Sequence, residues 1–408
     1  MRAFFFLPHL EISGGLGVHC RMLLEVLSRS EELELTLVVP ENPDELFPKS
    51  GRESVSNILQ MWGNRLRLHR VNWPIDHSLA LPLDNLLGSV LAGSGADFCL
   101  SSYYTGFVHP PCPQIVVWHD SGFLEQPDRF GDTAKIRLDT HKKILSSLNV
   151  LLCISHDARN RFVERQFIPL EKTCVVWHCL TDINPEESRL VCDVTRATPL
   201  FEGGPSIQAL GDFWFSPVGA ATGLNRVRKN LPVLIRGLFQ SGTNMRVVVA
   251  STGVLDEQMI TDLVPENISG TLANGCWASA DGKLMILPNL DRKRFLDCMA
   301  SSIGVVYPSR HEGFGLPVIE AMALGLPLVV SRATSIPEIA GTAGILTDPD
   351  DGEGMVCEME RIGSNPLLAA QLGARGRQRA RAHFSMERAF GEWMALFRRV
   401  VSEGKALG

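Results

Sequence analysis

Short apolar runs recur along this chain at helix-length intervals. Ala3 to Leu7, Leu35 to Val39, Phe98 to Ser101, Ile115 to Trp118 and Val150 to Ile154 occupy the first half. Phe213 to Val218, Arg246 to Ala250, Lys283 to Leu287, Ile303 to Tyr307 and Leu328 to Ser331 occupy the second. Runs of this kind, rich in β-branched and aromatic residues, read as strands buried on both faces. The segments between them read as covering helices, which predicts an α/β protein with parallel sheets. At 408 residues the chain exceeds what one core supports, so two domains of about 200 residues each are expected.

Between the halves, Thr181 to Gly211 carries Pro185, Pro199, Gly203, Gly204 and Pro205 without a sustained period, which marks an interdomain connection. The expected boundaries are an N-terminal domain over 1–185, a linker over 186–211 and a C-terminal domain over 212–384. After Ser364 the pattern is helical and basic through Arg375, Arg377, Arg379 and Arg381; Ser385 suits the N-cap of a last helix over 385–408. Ser54 to Arg70 interleaves Val55, Ile58, Leu59, Trp62, Leu66 and Leu68 with Arg65, Arg67 and Arg70. That pattern predicts an amphipathic helix whose basic face is either solvated or laid on an acidic membrane surface.

Composition narrows the class. With 45% apolar and 21% charged residues the chain is globular, and a net charge of −6 argues against nucleic acid as a partner. Its ten cysteines form no C-x-x-C pair, so neither a zinc site nor a disulfide framework is expected, and they read as free thiols in a reducing cytoplasm. Ala3 to Leu7 is too short for a signal peptide, and no apolar stretch approaches the roughly 20 residues of a membrane-spanning helix. A cytoplasmic protein is expected, soluble or peripheral at the inner face of the membrane.

The run YPSRHEGFGLPVIEAMALGLPLVVS carries Glu312 and Glu320, with seven residues between them. Glu312 falls in a Gly-rich turn after a strand, Pro317 is placed to open a helix, and Glu320 lies about a turn into it. A helix N-terminus offers N–H groups and positive partial charge to a diphosphate, while a carboxylate at each end can accept hydrogen bonds from sugar hydroxyls.

Four other segments carry candidate chemistry. Ser13-Gly14-Gly15-Leu16-Gly17 follows the first strand and precedes the helical stretch Val18 to Leu27. The third glycine of a dinucleotide fingerprint would fall at Cys20, so a nicotinamide or flavin enzyme ranks third among the readings. Arg226, Arg228, Lys229 and Asn230 precede the helical run Leu231 to Phe239. Opposite a diphosphate, a Lys and an Arg each supply charge-assisted bonds of about 1.5–3 kcal/mol. Trp118-His119-Asp120 ends a strand. Asp348-Pro349-Asp350 spells the D-x-D that can hold a divalent ion, but with Lys229 and a helix N-terminus at hand the diphosphate needs none.

In chain order, the G-G-x-G loop, the H-D segment, Ser155 at a strand end, R-K-N and E-G-F-G-L-P resemble the retaining glycosyltransferases of the GT-B type, family four. The resemblance is strongest from Tyr307 to Gly341 and weak over Asn184 to Gly211 and Asp256 to Lys283. It implies two Rossmann-like domains facing a central cleft, with the last helix packed back on the first. It also implies metal-independent transfer, with retention, of a hexose from a nucleotide-diphosphate sugar such as GDP-mannose, UDP-glucose or dTDP-rhamnose. The acceptor would be a hydroxyl of a glycan or lipid-linked molecule in bacterial surface polysaccharide synthesis, with no cofactor.

The residues that match the family's motifs take roles from the same resemblance. His119, Glu312 and Lys229 would be catalytic. Gly15, Gly17, Arg228, Lys229, His311, Glu312, Gly313, Phe314, Gly315, Leu316 and Glu320 would bind the donor, and Gly14, Gly15, His119 and Asp120 the acceptor. Ten positions separate Gly219 from Lys229 and Ala220 replaces a frequent arginine, so the choice between Arg226 and Arg228 stays open. The alternative is a catalytically inactive GT-B subunit that binds partners, and the presence of Glu312, Glu320 and Lys229 favours the enzyme.

Overall fold

The computed structural model describes residues 1–408 apart from 9–14, 42–51, 73–82, 103–104, 120–133, 166, 182, 184–196, 198, 218–227, 251–254, 288–289 and 408. The chain divides into two compact units, Met1–Thr181 with Ser385–Gly408, and Asp182–Phe384.

The first unit holds the strands β1 (Arg2–Phe6), β2 (Glu34–Pro40), β3 (Leu66–Val71), β4 (Phe98–Ser102), β5 (Gln114–Trp118), β6 (Val150–Cys153) and β7 (Thr173–Val175). They form one parallel sheet in the order β3-β2-β1-β4-β5-β6-β7. Helices α1 (Gly15–Leu27), α2 (Arg52–Trp62), α3 (Asp84–Ser94), α4 (Ala134–Ser147) and α5 (His156–Glu164) lie between the strands in sequence. Every residue of β4, β5 and β6 is buried, as a sheet covered on both faces requires. Phe4, Phe6, Leu87 and Phe107 centre one core cluster; Trp118, Ile144 and Phe162 centre another.

The second unit holds β8 (Trp214–Ser216), β9 (Val247–Ala250), β10 (Gly270–Ala273), β11 (Cys276–Ser279), β12 (Leu284–Leu287), β13 (Gly304–Tyr307), β14 (Leu328–Ser331) and β15 (Gly344–Thr347). Their order is β10-β11-β12-β9-β8-β13-β14-β15, antiparallel over β10 to β12 and parallel elsewhere. Its helices are α6 (Ile207–Leu210), α7 (Leu231–Gln240), α8 (Glu257–Leu263), α9 (Arg292–Ala300), α10 (Leu316–Leu324), α11 (Ile336–Ala340), α12 (Gly352–Gly363) and α13 (Pro366–His383). The parallel part has the doubly wound order, and the chain reverses direction across the sheet between β8 and β13. In open sheets of this kind, the carboxyl ends of the strands on either side of the reversal form the ligand crevice.

The last helix, α14 (Met386–Leu407), belongs to the first unit. Its Phe397 ring packs on Phe98 and Phe5 with centroids 4.7 and 5.9 Å apart. The Arg388 guanidinium donates to the carbonyls of Trp177 and His178 at 2.8 and 3.1 Å.

Several expectations need correction. Ser54 to Arg70 is not one helix: Gly63, at φ 53°, ends α2, and Leu66 to Val71 pair with β2 as a strand. The alternation L-R-L-H-R-V has period two, which suits a strand and not a helix. On α2, Ile58 and Trp62 are buried and the Trp62 indole donates to Leu24 O, while Met61 is exposed. Arg65 donates to the carbonyls of Ser28 and Ser30. In the basic stretch before α14, Arg379 donates to Ile339 O and Glu338 O, satisfying carbonyls at the end of α11. With β3, strands β7, β10, β11 and β15 add to the ten runs that read as strands in the sequence. Among the described residues, no helix is long and apolar enough to cross a membrane.

Candidate functional site

Two loops of the second unit meet at the reversal between β8 and β13. After β13, Gly315 adopts φ 97°, a left-handed conformation suited to glycine, and Pro317 follows in the first turn of α10. Val318 to Ala323 are all buried, so α10 carries Glu320 into the interior, where it is 4% exposed. After β8, the chain reaches Arg228, Lys229 and Asn230 ahead of α7.

Lys229 Nζ lies 2.7 Å from Glu312 Oε1, in an ion pair whose side chains are 15% and 9% exposed. The ammonium also stands 5.7 Å from the centroid of the Tyr307 ring. Burial by itself would raise the Glu312 carboxyl, but the charges of Lys229 and then Arg228 override it and hold the group below its ordinary value. Burial first, and the Glu312 carboxylate second, push the Tyr307 phenol well above its ordinary value, so it stays protonated beside the pair.

Asn230 ties the loops together. It sits at φ 60° and is 3% exposed; its amide donates to Pro308 O at 2.9 Å and Pro349 O at 2.6 Å, and its Oδ1 accepts from Arg310 Nε at 3.0 Å. The Arg310 N–H donates to Arg228 O at 2.8 Å. Across the turn, the Glu312 N–H donates to Thr334 Oγ1 at 2.9 Å, and Ser335 Oγ donates to the carbonyls of Glu312 and Phe314 at 3.0 and 3.2 Å. Arg228 Nε and His311 Nε2 are buried with no hydrogen-bond partner among the described residues.

The structure therefore brings Arg228, Lys229 and Glu312 together, with His311 and the turn Gly313, Phe314, Gly315 and Leu316 adjoining them in sequence. Glu320 is engaged differently: its Oε1 lies 2.8 Å from Arg292 of α9. Arg226 lies outside the described residues. The D-x-D segment works as a tie, since Asp350 pairs with the Arg310 guanidinium and its N–H donates to Asp348 Oδ1.

In the first unit, Gly14 and Asp120 lie outside the described residues. Gly15 opens α1 and Gly17 falls in its first turn, so these two glycines belong to the helix and not to the loop expected before Val18. Ser155 caps α5, its side chain accepting from the Ala158 N–H. His119, at the end of β5, meets the His19 ring edge to face with centroids 4.6 Å apart. His19 and His178 face each other through their Nδ1 atoms at 3.2 Å. Burial first, then the neighbouring His119, lower both His19 and His178 well below the ordinary histidine value, so both stay neutral near pH 7.

Sequence reasoning missed Asn230, Arg292, His19 and His178. Asn230 stood in the R-K-N string, and an Asn ahead of a helix is a recognisable candidate for left-handed geometry. The other three carried no local signal, because their contacts join residues far apart in the chain.

Residues 279–379 match the model of the family described as glycosyl transferases group 1. The chain is similar to O-antigen chain mannosyltransferase B of Escherichia coli, 59% identical over 46 residues, which cover 11% of this chain and 12% of that protein. It is also similar to the MMP alpha-(1->4)-mannosyltransferase of Mycolicibacterium hassiacum, 35% identical over 107 residues, 26% of each chain. The matched segments thus span only a small part of these curated relatives. Among solved structures, HepE of Anabaena in complex with UDP-glucose superposes with a TM-score of 0.66 at 14% identity, covering 98% of this chain and 100% of that one. That likeness concerns the fold, the two α/β units of GT-B glycosyltransferases. The motif around Glu312 and Glu320 lies inside the segment 279–379 that matches the glycosyl transferases group 1 model, and the fold of the whole chain is of GT-B type.

Proposed function

We propose that this chain is a retaining glycosyltransferase that moves a hexosyl group from a nucleotide-diphosphate sugar to an acceptor hydroxyl. The observation that carries the reading is the Lys229–Glu312 ion pair beside Arg228, at the reversal between β8 and β13. An incoming diphosphate competes with Glu312 for the Lys229 ammonium. Lys229 and Arg228 then neutralise the nucleoside diphosphate as it leaves, without a metal, and the released Glu312 accepts hydrogen bonds from the sugar hydroxyls. Glu320 accepts the ribose hydroxyls.

In the transfer, the bond between the sugar C1 and the diphosphate oxygen breaks and its electron pair leaves with the phosphate. The acceptor oxygen bonds to C1 on the same face, and its proton passes to the departing phosphate oxygen. His119, with Asp120, Gly14 and Gly15, serves the acceptor. The names of the two mannosyltransferase relatives support a mannosyl donor, the O-antigen relative supports a surface-glycan acceptor, and the UDP-glucose bound to HepE supports the donor class.

A thermal-shift panel over GDP-mannose, UDP-glucose and dTDP-rhamnose, followed by hydrolysis of the stabilising donor without acceptor, tests the reading. Stabilisation by one donor and slow release of its nucleoside diphosphate are expected. Absence of stabilisation by all three, together with absence of hydrolysis, contradicts it.

A further inference from the structure

Three imidazoles converge in the first unit from three separate elements: His19 from α1, His119 from the end of β5 and His178 from the segment after β7. One ring nitrogen of each lies within 4.8 Å of the other two. His19 and His178 are 1% and 3% exposed, and their Nδ1 atoms are 3.2 Å apart. The His19 ring meets both others edge to face, at interplanar angles of 88° and 71°. Its Nε2 is buried with no hydrogen-bond partner among the described residues.

We propose that His19, His119 and His178 bind a divalent transition metal of the zinc, nickel and copper class. A tetrahedral ion with metal–nitrogen bonds of about 2.0–2.1 Å holds its ligand nitrogens about 3.3–3.4 Å apart. The separation of His19 from His178 already matches that edge. Closing the widest of the three separations asks a ring to move by about an ångström or slightly more. His119 follows β5 and meets the His19 ring edge to face with centroids 4.6 Å apart.

The chemistry of the set selects the ion. Three imidazoles favour zinc, nickel or copper over magnesium and calcium, which take oxygen. Three protein nitrogens leave one tetrahedral position for water. The Arg388 guanidinium, which donates to the His178 carbonyl, is the nearby charge that the ion must tolerate. The site goes beyond glycosyl transfer: it shares His119 with the acceptor role proposed above, while Lys229 and Glu312 belong to the second unit and take no part in it.

The test is a cobalt titration of the untagged full-length chain, stripped with a chelator and kept free of nucleotide sugar. One equivalent of Co2+ is expected to give the intense visible absorption of a tetrahedral ion, to be displaced by Zn2+ and to be unaffected by Mg2+. His19→Ala and His178→Ala are each expected to weaken binding by at least about tenfold, the lower end of what loss of even an outer partner costs a metal site. Where an alanine variant fails to fold by circular dichroism, the glutamine variant replaces it. Absence of a tetrahedral spectrum at one equivalent, or unchanged affinity in the folded variants, overturns the proposal and leaves a hydrogen-bonded histidine pair. Because no donor is present, failure to bind metal leaves the Lys229–Glu312 reading untouched, and a bound metal moves only the acceptor role away from His119.

Discussion

The Glu320 carboxylate lies 2.8 Å from the Arg292 guanidinium, the acid 5% exposed and the base 39% exposed. The residue assigned to the ribose is thus a buried carboxylate with a cation from the neighbouring helix α9 against it. A carboxylate in that position can accept hydrogen bonds from two ribose hydroxyls. Glu320→Ala is expected to weaken donor binding by about ten- to 150-fold, and Arg292→Ala by less, because water screens its exposed charge. Isothermal titration with the donor measures both, and wild-type affinity in Glu320→Ala contradicts the ribose role.

Asn230 holds three partners from two other loops in a backbone conformation that Asn tolerates better than most residues. Asn230→Ala leaves the carbonyls of Pro308 and Pro349 without their donor. A loss of about 1–3 kcal/mol in stability is expected, together with weaker donor binding as Lys229 loses its register. Asn230→Gly, which keeps the conformation and loses the bonds, separates the two causes. Chemical denaturation of both variants measures the loss, and wild-type stability in both contradicts this role.

Glu312 titrates below its ordinary value, because Lys229 and Arg228 overcome the effect of burial. A carboxyl depressed in the folded state contributes stability that is fully present above its unfolded value, about 4.3, and lost as pH falls through the folded value. Wild-type protein is therefore expected to lose stability below about pH 4.3 more steeply than Glu312→Gln. Melting temperatures across the acid range provide the check, and parallel profiles contradict the assignment.

The sequence made the parallel strands legible where they are buried on both faces, as in Val116 to Trp118 and Val305 to Tyr307, because burial leaves an unbroken apolar run. It concealed β3 because that strand lies at the sheet edge with Arg67, Leu68, His69 and Arg70 exposed, where charged and apolar positions mix. The hairpin of β10 and β11 has its signal in Asn274-Gly275, whose positive φ values of 53° and 72° make the two-residue turn, but its strands are too short and too exposed to leave an unbroken apolar run. Within the site, Lys229 and Glu312 were legible because each stands in a motif. Their direct pairing was not, because it depends on β8 and β13 being neighbours.

Isothermal titration of the nucleoside diphosphate and of the matching nucleotide sugar, into wild type, Lys229→Met and Glu312→Gln, tests the central claim most directly. If Lys229 serves the diphosphate and Glu312 the sugar, Lys229→Met weakens both ligands by about ten- to 150-fold. Glu312→Gln then weakens the nucleotide sugar alone, and leaves the diphosphate bound as well as before or better, since Lys229 no longer has a competing partner. Wild-type affinity of Lys229→Met for the nucleoside diphosphate would contradict the account.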